Sequence, residues 1–256
     1  MKAKIYFFII LSLLAVIGCS AGGSKADFYV SKVIDGDTIE LSNGKTVRYI
    51  GIDTPELRER KGSIWVYKPE EYGLQAEEAN KKLVEGKKVT LEFDIVKTDK
   101  YGRWLAYVFV DNKMVNQELL RLGYAVLYTY PPNVKYVEKL VAAQQEARQK
   151  KRGFWKSYEI ITHQEAAGHI GEFYTVRGRV TSTFASKKVV FLNFGRDWHE
   201  DFTVAIFKSN LGLFEDKAID PVVFYKNKQI EVTGKIKFYN GPEIIINHPS
   251  QIKVIN

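Results

Sequence analysis

One cysteine, Cys19, is all that the 256 residues contain, so no disulfide can form within the chain. Histidine is nearly as scarce. His163, His169, His199 and His248 are scattered and have no cysteine partners, which excludes the ligand spacing of a structural zinc site. The GKT at Gly44–Thr46 has Ile39 where a phosphate-binding P-loop needs its earlier glycine. No grouping of serine, histidine and acid marks a hydrolytic triad. Internal repeats are absent, and the one low-complexity stretch, SAGGSKAD at residues 20–27, reads as a flexible tether.

What remains is an ordinary globular composition, 45% hydrophobic and 27% charged, which argues against disorder. Basic residues number 38 and acidic residues 30, a net charge of +8 that suggests a polyanionic partner, either nucleic acid or an anionic membrane surface. The excess is uneven. Residues 27–157 carry 23 basic and 19 acidic side chains, whereas residues 158–256 carry 12 and 11, so the first stretch is the better candidate for a polyanion. At the start, Lys2 and Lys4 precede an apolar run, Ile5–Ile17, too short for a comfortable membrane span and suited to the core of a secretory signal. The run ends in VIGC, which resembles the lipobox of bacterial lipoproteins. The expectation is therefore a signal peptide over residues 1–18 and a lipid on Cys19. Residues 19–27 would tether an exported protein to a membrane.

The remaining chain divides by pattern. Between Phe28 and residue 157, FYVSKVI, DTIEL, TVRYIGI, KVTLEFDIV and WLAYVFV read as strands. LQAEEANKKLVEG, MVNQELLRLGY and VEKLVAAQQEARQKKRGFW read as helices, the last closing in a basic run, Arg148–Arg152, of the kind found at solvated helix ends. Residues 158–256 offer about five strands and a short helical insert, SNLGLFEDKA, a count that suits a small OB-type barrel. The fold class expected is mainly β with α, in two domains at 28–157 and 158–256. Among the second domain's aromatics, Phe173, Tyr174, Phe191, Phe194, Phe238 and Tyr239 read either as a stacking platform or as core. Binding of nucleic acid there would need local clustering of Lys187, Lys188, Lys235 and Lys237.

The chemistry concentrates in three pieces of the first domain: DGDT (Asp35–Thr38), VRYIGIDTPE (Val47–Glu56) and TDKYGR (Thr98–Arg103). Asp37 and Asp53 are hard oxygen donors of the kind calcium prefers, although the spacing is not that of an EF-hand. Arg48 and Arg103 each present a planar fork that matches two phosphate oxygens. Glu56 follows Pro55, and a carboxylate near a metal-oriented water suits general base catalysis. In a regular strand Arg48 and Asp53 would face opposite ways, so a kink is needed, with Gly51 its natural place.

In order and spacing, IDGDT, RYIGIDTPE, YGLQAEEANKKLVEG, TDKYGRWLAYVFVDNKMVN and YTYPPN resemble the staphylococcal nuclease family over residues 28–156. The resemblance implies an OB-type barrel with packed helices and cleavage of DNA and RNA with little sequence preference, leaving 3′-phosphates. It implies that Asp37, Asp53 and the Thr54 carbonyl bind calcium, with Asp35 supporting the site. Arg48 and Arg103 would hold the scissile phosphate and Glu56 would act as the base. Lys100 and Tyr101 would reach a neighbouring phosphate, and Tyr128 and Tyr130 would line the nucleotide pocket. A monomer is expected. The chain departs from the family between Glu56 and Tyr72, where LRERKGSIWVYKPEE is longer than the founding member's loop and carries Arg58, Arg60, Lys61 and Trp65. Those residues suit either a grip on substrate or a mobile surface loop. The competing readings are a noncatalytic nucleic-acid or partner-binding module and a structural envelope lipoprotein.

Overall fold

The computed structural model describes residues 25–61, 64–156 and 159–255. Cys19 and the expected signal lie outside them, as do the side chains of Arg58, Arg60, Lys61 and Trp65. Among the described residues no helix is long and apolar enough to cross a membrane.

The first half builds β1 (Lys25–Asp35), β2 (Thr38–Leu41), β3 (Thr46–Tyr49), β4 (Ile52–Asp53), β5 (Arg58–Lys61) and β6 (Ile64–Tyr67). After α1 (Gly73–Val84) come β7 (Lys88–Thr98), β8 (Trp104–Val110), β9 (Lys113–Met114), α2 (Val115–Leu122), β10 (Val126–Leu127) and α3 (Val137–Gln149). Strands run in the order β3-β2-β1-β7-β8, and β3 pairs again with β8 in parallel, so five strands close into a barrel. Alternation decides which way each side chain points: Val89 and Leu91 of β7, and Ile39 and Leu41 of β2, are fully buried inside. Each such side chain stabilises the fold by roughly 1.5–3 kcal/mol relative to exposure. Helices α1, α2 and α3 pack on the same core through Ala79, Val84, Leu119, Leu120 and Leu140. Helix α2 stops at Gly123, which takes φ 79° and returns its amide to the Leu119 and Leu120 carbonyls. The long segment after Glu56 is a hairpin, with β5 antiparallel to β6, rather than a loop without structure.

The second half contains β11 (Ile160–Thr162), β12 (Phe173–Arg179), β13 (Ser182–Ala185), β14 (Val189–Asn193) and β15 (Thr203–Phe207). Then follow α4 (Leu211–Glu215), α5 (Pro221–Phe224), β16 (Gln229–Phe238), β17 (Pro242–Ile246) and β18 (Ile252–Ile255). The sheet order is β11-β12-β16-β17-β15-β14-β13, with β18 beside β16. Only Val180 and Thr181 separate β12 from β13, so the two are halves of one bent strand that brings the ends of the sheet together. β15 and β17 are parallel, as β3 and β8 are in the first barrel. Both halves therefore share one strand order without any sequence repeat. The second core is separate, built on Val190, Leu192, Val204, Ile206, Ile244 and Ile246. The apolar run at 242–255, which reads as one strand, is two: His248 caps a 3-10 turn at Pro249–Gln251 and breaks it.

Candidate active site

Arg48 leaves the last turn of a strand that ends at Tyr49, and Asp53 lies in the short strand that restarts at Ile52. Between them Gly51 takes φ 82°, a left-handed conformation that glycine adopts without penalty. A Cβ at this position would stand 2.4 Å from Leu140 Cδ1, so the bend is also pressed against α3. The bend turns Asp53 back toward Arg48, whose Nη2 donates to Asp53 Oδ1 at 2.5 Å. Three contacts hold it open. Buried Asn116 donates to the Ile50 carbonyl at 2.8 Å and accepts from the Val108 amide at 2.9 Å. The Tyr128 amide donates to the Gly51 carbonyl at 3.0 Å.

Asp37 lies beneath this bend and is fully buried. One of its oxygens meets Arg48 Nη1 and the Thr38 hydroxyl, and the other accepts from the Thr54 amide at 3.0 Å. A side chain at Gly36 would collide with Thr54 and Ala76, so the DGD turn can approach this closely only with glycine at its centre. Asp35 accepts from the Asp37 amide at 3.1 Å, supporting the turn from behind. Burial raises its pKa, and Arg48 and Arg103 pull in the opposite direction. Asn80 of α1 locks the turn further, donating to the Asp35 carbonyl at 3.0 Å and accepting from the Tyr49 hydroxyl at 2.9 Å.

Arg48, Asp53, Thr54, Glu56 and Arg103 open onto one cleft of about 1170 Å³, which Tyr128 and Tyr130 also line. Burial against the cleft wall and the neighbouring Asp53 and Asp35 carboxylates raise the pKa of Glu56. Arg103 is oriented by Asp99, which accepts its Nε at 2.7 Å and its amide at 3.0 Å. Tyr128 is half-exposed, its pKa raised by burial and by Asp53, and Tyr130 is largely exposed. Lys100 and Tyr101 stand beside Arg103 on the same turn rather than in the cleft lining: the Tyr101 ring is 69% exposed, with Arg103 5.6 Å and Lys100 5.0 Å from its centre.

The opposite wall belongs to the second barrel and includes Tyr174, Phe207, Asn210, Lys235, Lys237 and Asn247. Sequence reasoning placed none of these at the site, because no local pattern records which face of one barrel meets the other. The halves are joined by a buried bond from the Thr129 hydroxyl to the Asn247 carbonyl at 2.9 Å and by the Phe154 and Phe173 rings, 6.0 Å apart. Lys235 also reaches across to Glu70 at 2.6 Å. Glu70 in turn clamps the Glu56 backbone, accepting its amide at 3.1 Å and donating to its carbonyl at 2.8 Å.

No group of three acidic, histidine or cysteine side chains is gathered as for a metal among the described residues. The donors that do converge are the Asp37 and Asp53 carboxylates, which share one positive group, Arg48. Two hard carboxylates are of the donor type that calcium takes, and water would have to complete such a site.

Residues 46–157 match the family model described as "Staphylococcal nuclease homologue". Among curated proteins, the SPbeta prophage-derived endonuclease YokF of Bacillus subtilis (strain 168) is 38% identical over 162 residues, 61% of this chain and 53% of that protein. Endonuclease YncB of the same organism is 42% identical over 140 residues, 53% of this chain and 64% of the relative. The chain thus spans about half to two-thirds of these two relatives. The Thermonuclease of Staphylococcus hyicus is 38% identical over 144 residues, 54% of this chain and 82% of the relative. With most of that protein covered at this identity, and with a closed barrel carrying the acids and arginines at one cleft, the chain belongs to the staphylococcal nuclease family.

Proposed function

We propose that the chain is a calcium-dependent phosphodiesterase that cuts DNA and RNA with little sequence preference and leaves 3′-phosphates. It acts as a monomer held at a membrane surface through a lipid on Cys19. The observation that carries the enzymatic reading is the convergence on one cleft of Arg48, Asp53 and Glu56 from one bent stretch and Arg103 from another segment of the chain. The lipid anchor rests on the VIGC sequence and the apolar run before it.

Calcium would be held by Asp37, Asp53 and the Thr54 carbonyl, where it supplies positive charge beside the phosphate and a site for water. Arg48 and Arg103 bind the phosphate through planar forks, and Asp99 holds Arg103 in position before substrate arrives. As charge grows on the phosphoryl oxygens these donors gain strength, and losing one commonly costs about 3–4 kcal/mol in the transition state. Glu56 takes the proton of the attacking water. Burial and the neighbouring Asp53 and Asp35 carboxylates raise its pKa, which makes it a better base than an ordinary carboxylate. Tyr128 and Tyr130 offer faces to the adjoining nucleotide.

The test is release of acid-soluble nucleotides from single-stranded and duplex DNA by the purified chain, in calcium and in chelator. Glu56→Ala and Arg103→Ala are expected to abolish the calcium-dependent release. DNA binding in calcium with no release by the parent chain would overturn the enzymatic reading.

A further inference from the structure

A second cavity, of about 460 Å³, opens on the outer face of the second barrel. Its walls are four aromatic rings, Phe184, Phe191, Trp198 and Tyr239, three of them 53–70% exposed. Its polar groups are Asn193, Thr203, Asn240 and Glu243. Thr203 is 92% buried, yet its hydroxyl has no hydrogen-bond partner in the described structure. Glu243 is equally buried; burial raises its pKa and Lys237 opposes the shift. The unmet Thr203 hydroxyl in an apolar pocket carries a desolvation cost that a ligand offering a hydrogen bond relieves.

The register of the sheet joins this cavity to the cleft. Thr203, Ala205 and Phe207 alternate on one face of β15, opposite Asn193, Phe191 and Val189 of β14. Glu243 and Ile245 of β17 stand beside Thr203 and Ala205 on the same face. Phe207 and Ile245 line the cleft, while Thr203, Phe191 and Glu243 line the aromatic cavity. One continuous strip of sheet therefore connects the two, about 13 Å long at the rise of a β-strand. Lysines border its cleft end: Lys235 and Lys237 line the cleft, and the Lys208 amide bonds to the Lys188 carbonyl at 2.9 Å.

We propose that this strip is the track of a single-stranded nucleic acid leaving the cleft, and that the aromatic cavity takes one unpaired base of that strand. The proposal rests on the nuclease reading and names a substrate subsite on the second barrel. The lysines meet phosphates along the track, and the rings stack the base. Glu243, Thr203 and the two asparagines read its edge. A carboxylate at the floor accepts hydrogen bonds, so bases with exocyclic amines, cytosine among them, are favoured over thymine.

The experiment measures anisotropy of labelled dC12 and dT12 on the full chain carrying Glu56→Gln, which suppresses cleavage. The expected result is tighter binding of dC12. Trp198→Ala with Tyr239→Ala should weaken it roughly 5- to 150-fold, the range for losing one stacked base. Thr203→Val and Glu243→Gln, milder changes, should erase the preference for dC12 with little effect on dT12. In an active background, cleavage of a dinucleotide too short to leave the cleft should be unchanged by all four substitutions. Unaltered dC12 affinity in the double variant, or no preference for dC12 in the parent, would overturn the proposal. Failure of the nuclease reading shows separately, as absence of dinucleotide cleavage by the active chain.

Discussion

Replacing Gly51 by alanine perturbs the bend that joins Arg48 to Asp53, and two separable costs follow. The left-handed φ of 82° strains any residue with a Cβ, by roughly 1–2 kcal/mol. The added methyl would also sit 2.4 Å from Leu140 Cδ1, an overlap of the kind that costs about 1–3 kcal/mol. Gly51→Ala should therefore destabilise the protein by about 2–5 kcal/mol in urea unfolding. Leu140→Ala alone removes a side chain that is 1% exposed, at a cost of about 2–5 kcal/mol. In the double variant the overlap disappears while the backbone strain remains. Its loss should then fall short of the sum of the singles by about 1–3 kcal/mol. Strict additivity would refute the steric half of the reasoning. Full nuclease activity in folded Gly51→Ala would refute the claim that the bend positions Asp53.

Asn116→Leu orphans the Ile50 carbonyl and the Val108 amide, and urea unfolding should show a loss of about 2–6 kcal/mol. Asp99→Ala releases Arg103, so kcat should fall with the fold intact by circular dichroism. The partners of the Lys235–Glu70 pair are about 40% exposed, so Lys235→Ala should lower kcat by no more than about fivefold. Glu70→Ala, which also loses the bond to the Glu56 amide, should cost more. His248 is buried and its pKa is lowered to about 4, chiefly by burial. The unfolded chain therefore binds more protons between the ordinary value of 6.5 and about 4, and stability should decline as pH falls through that window, by about 3 kcal/mol in all. His248→Asn should flatten that slope in pH-dependent thermal melts.

Much of the first barrel was legible because its evidence is local. Alternation marks β7 and β8, and the VEKLVAAQQ pattern marks α3. The parity of Arg48 and Asp53 demanded a kink that only Gly51 could supply cheaply. In the second barrel the strands were readable, but one apolar run concealed a turn, since the buried imidazole of His248 caps it in place of a polar loop residue. Among its aromatics, Phe194 went to the core while Phe238 and Tyr239 remained 69–70% exposed, a division that composition does not encode. Asn80 and Asn116, which support the site, read as ordinary polar residues on helices; their partners lie 45 and 66 residues away.

By itself, then, the sequence determined the strands, the helices and the charged groups of the first-domain cleft, because side-chain periodicity, turn chemistry and motif spacing act over a few residues. Tertiary structure alone decided that two barrels share one strand order, that the second closes the far side of the cleft, and that Lys235 meets Glu70 across 165 residues. Contacts at such separations depend on how folded surfaces fit together, and no short stretch of sequence carries that information.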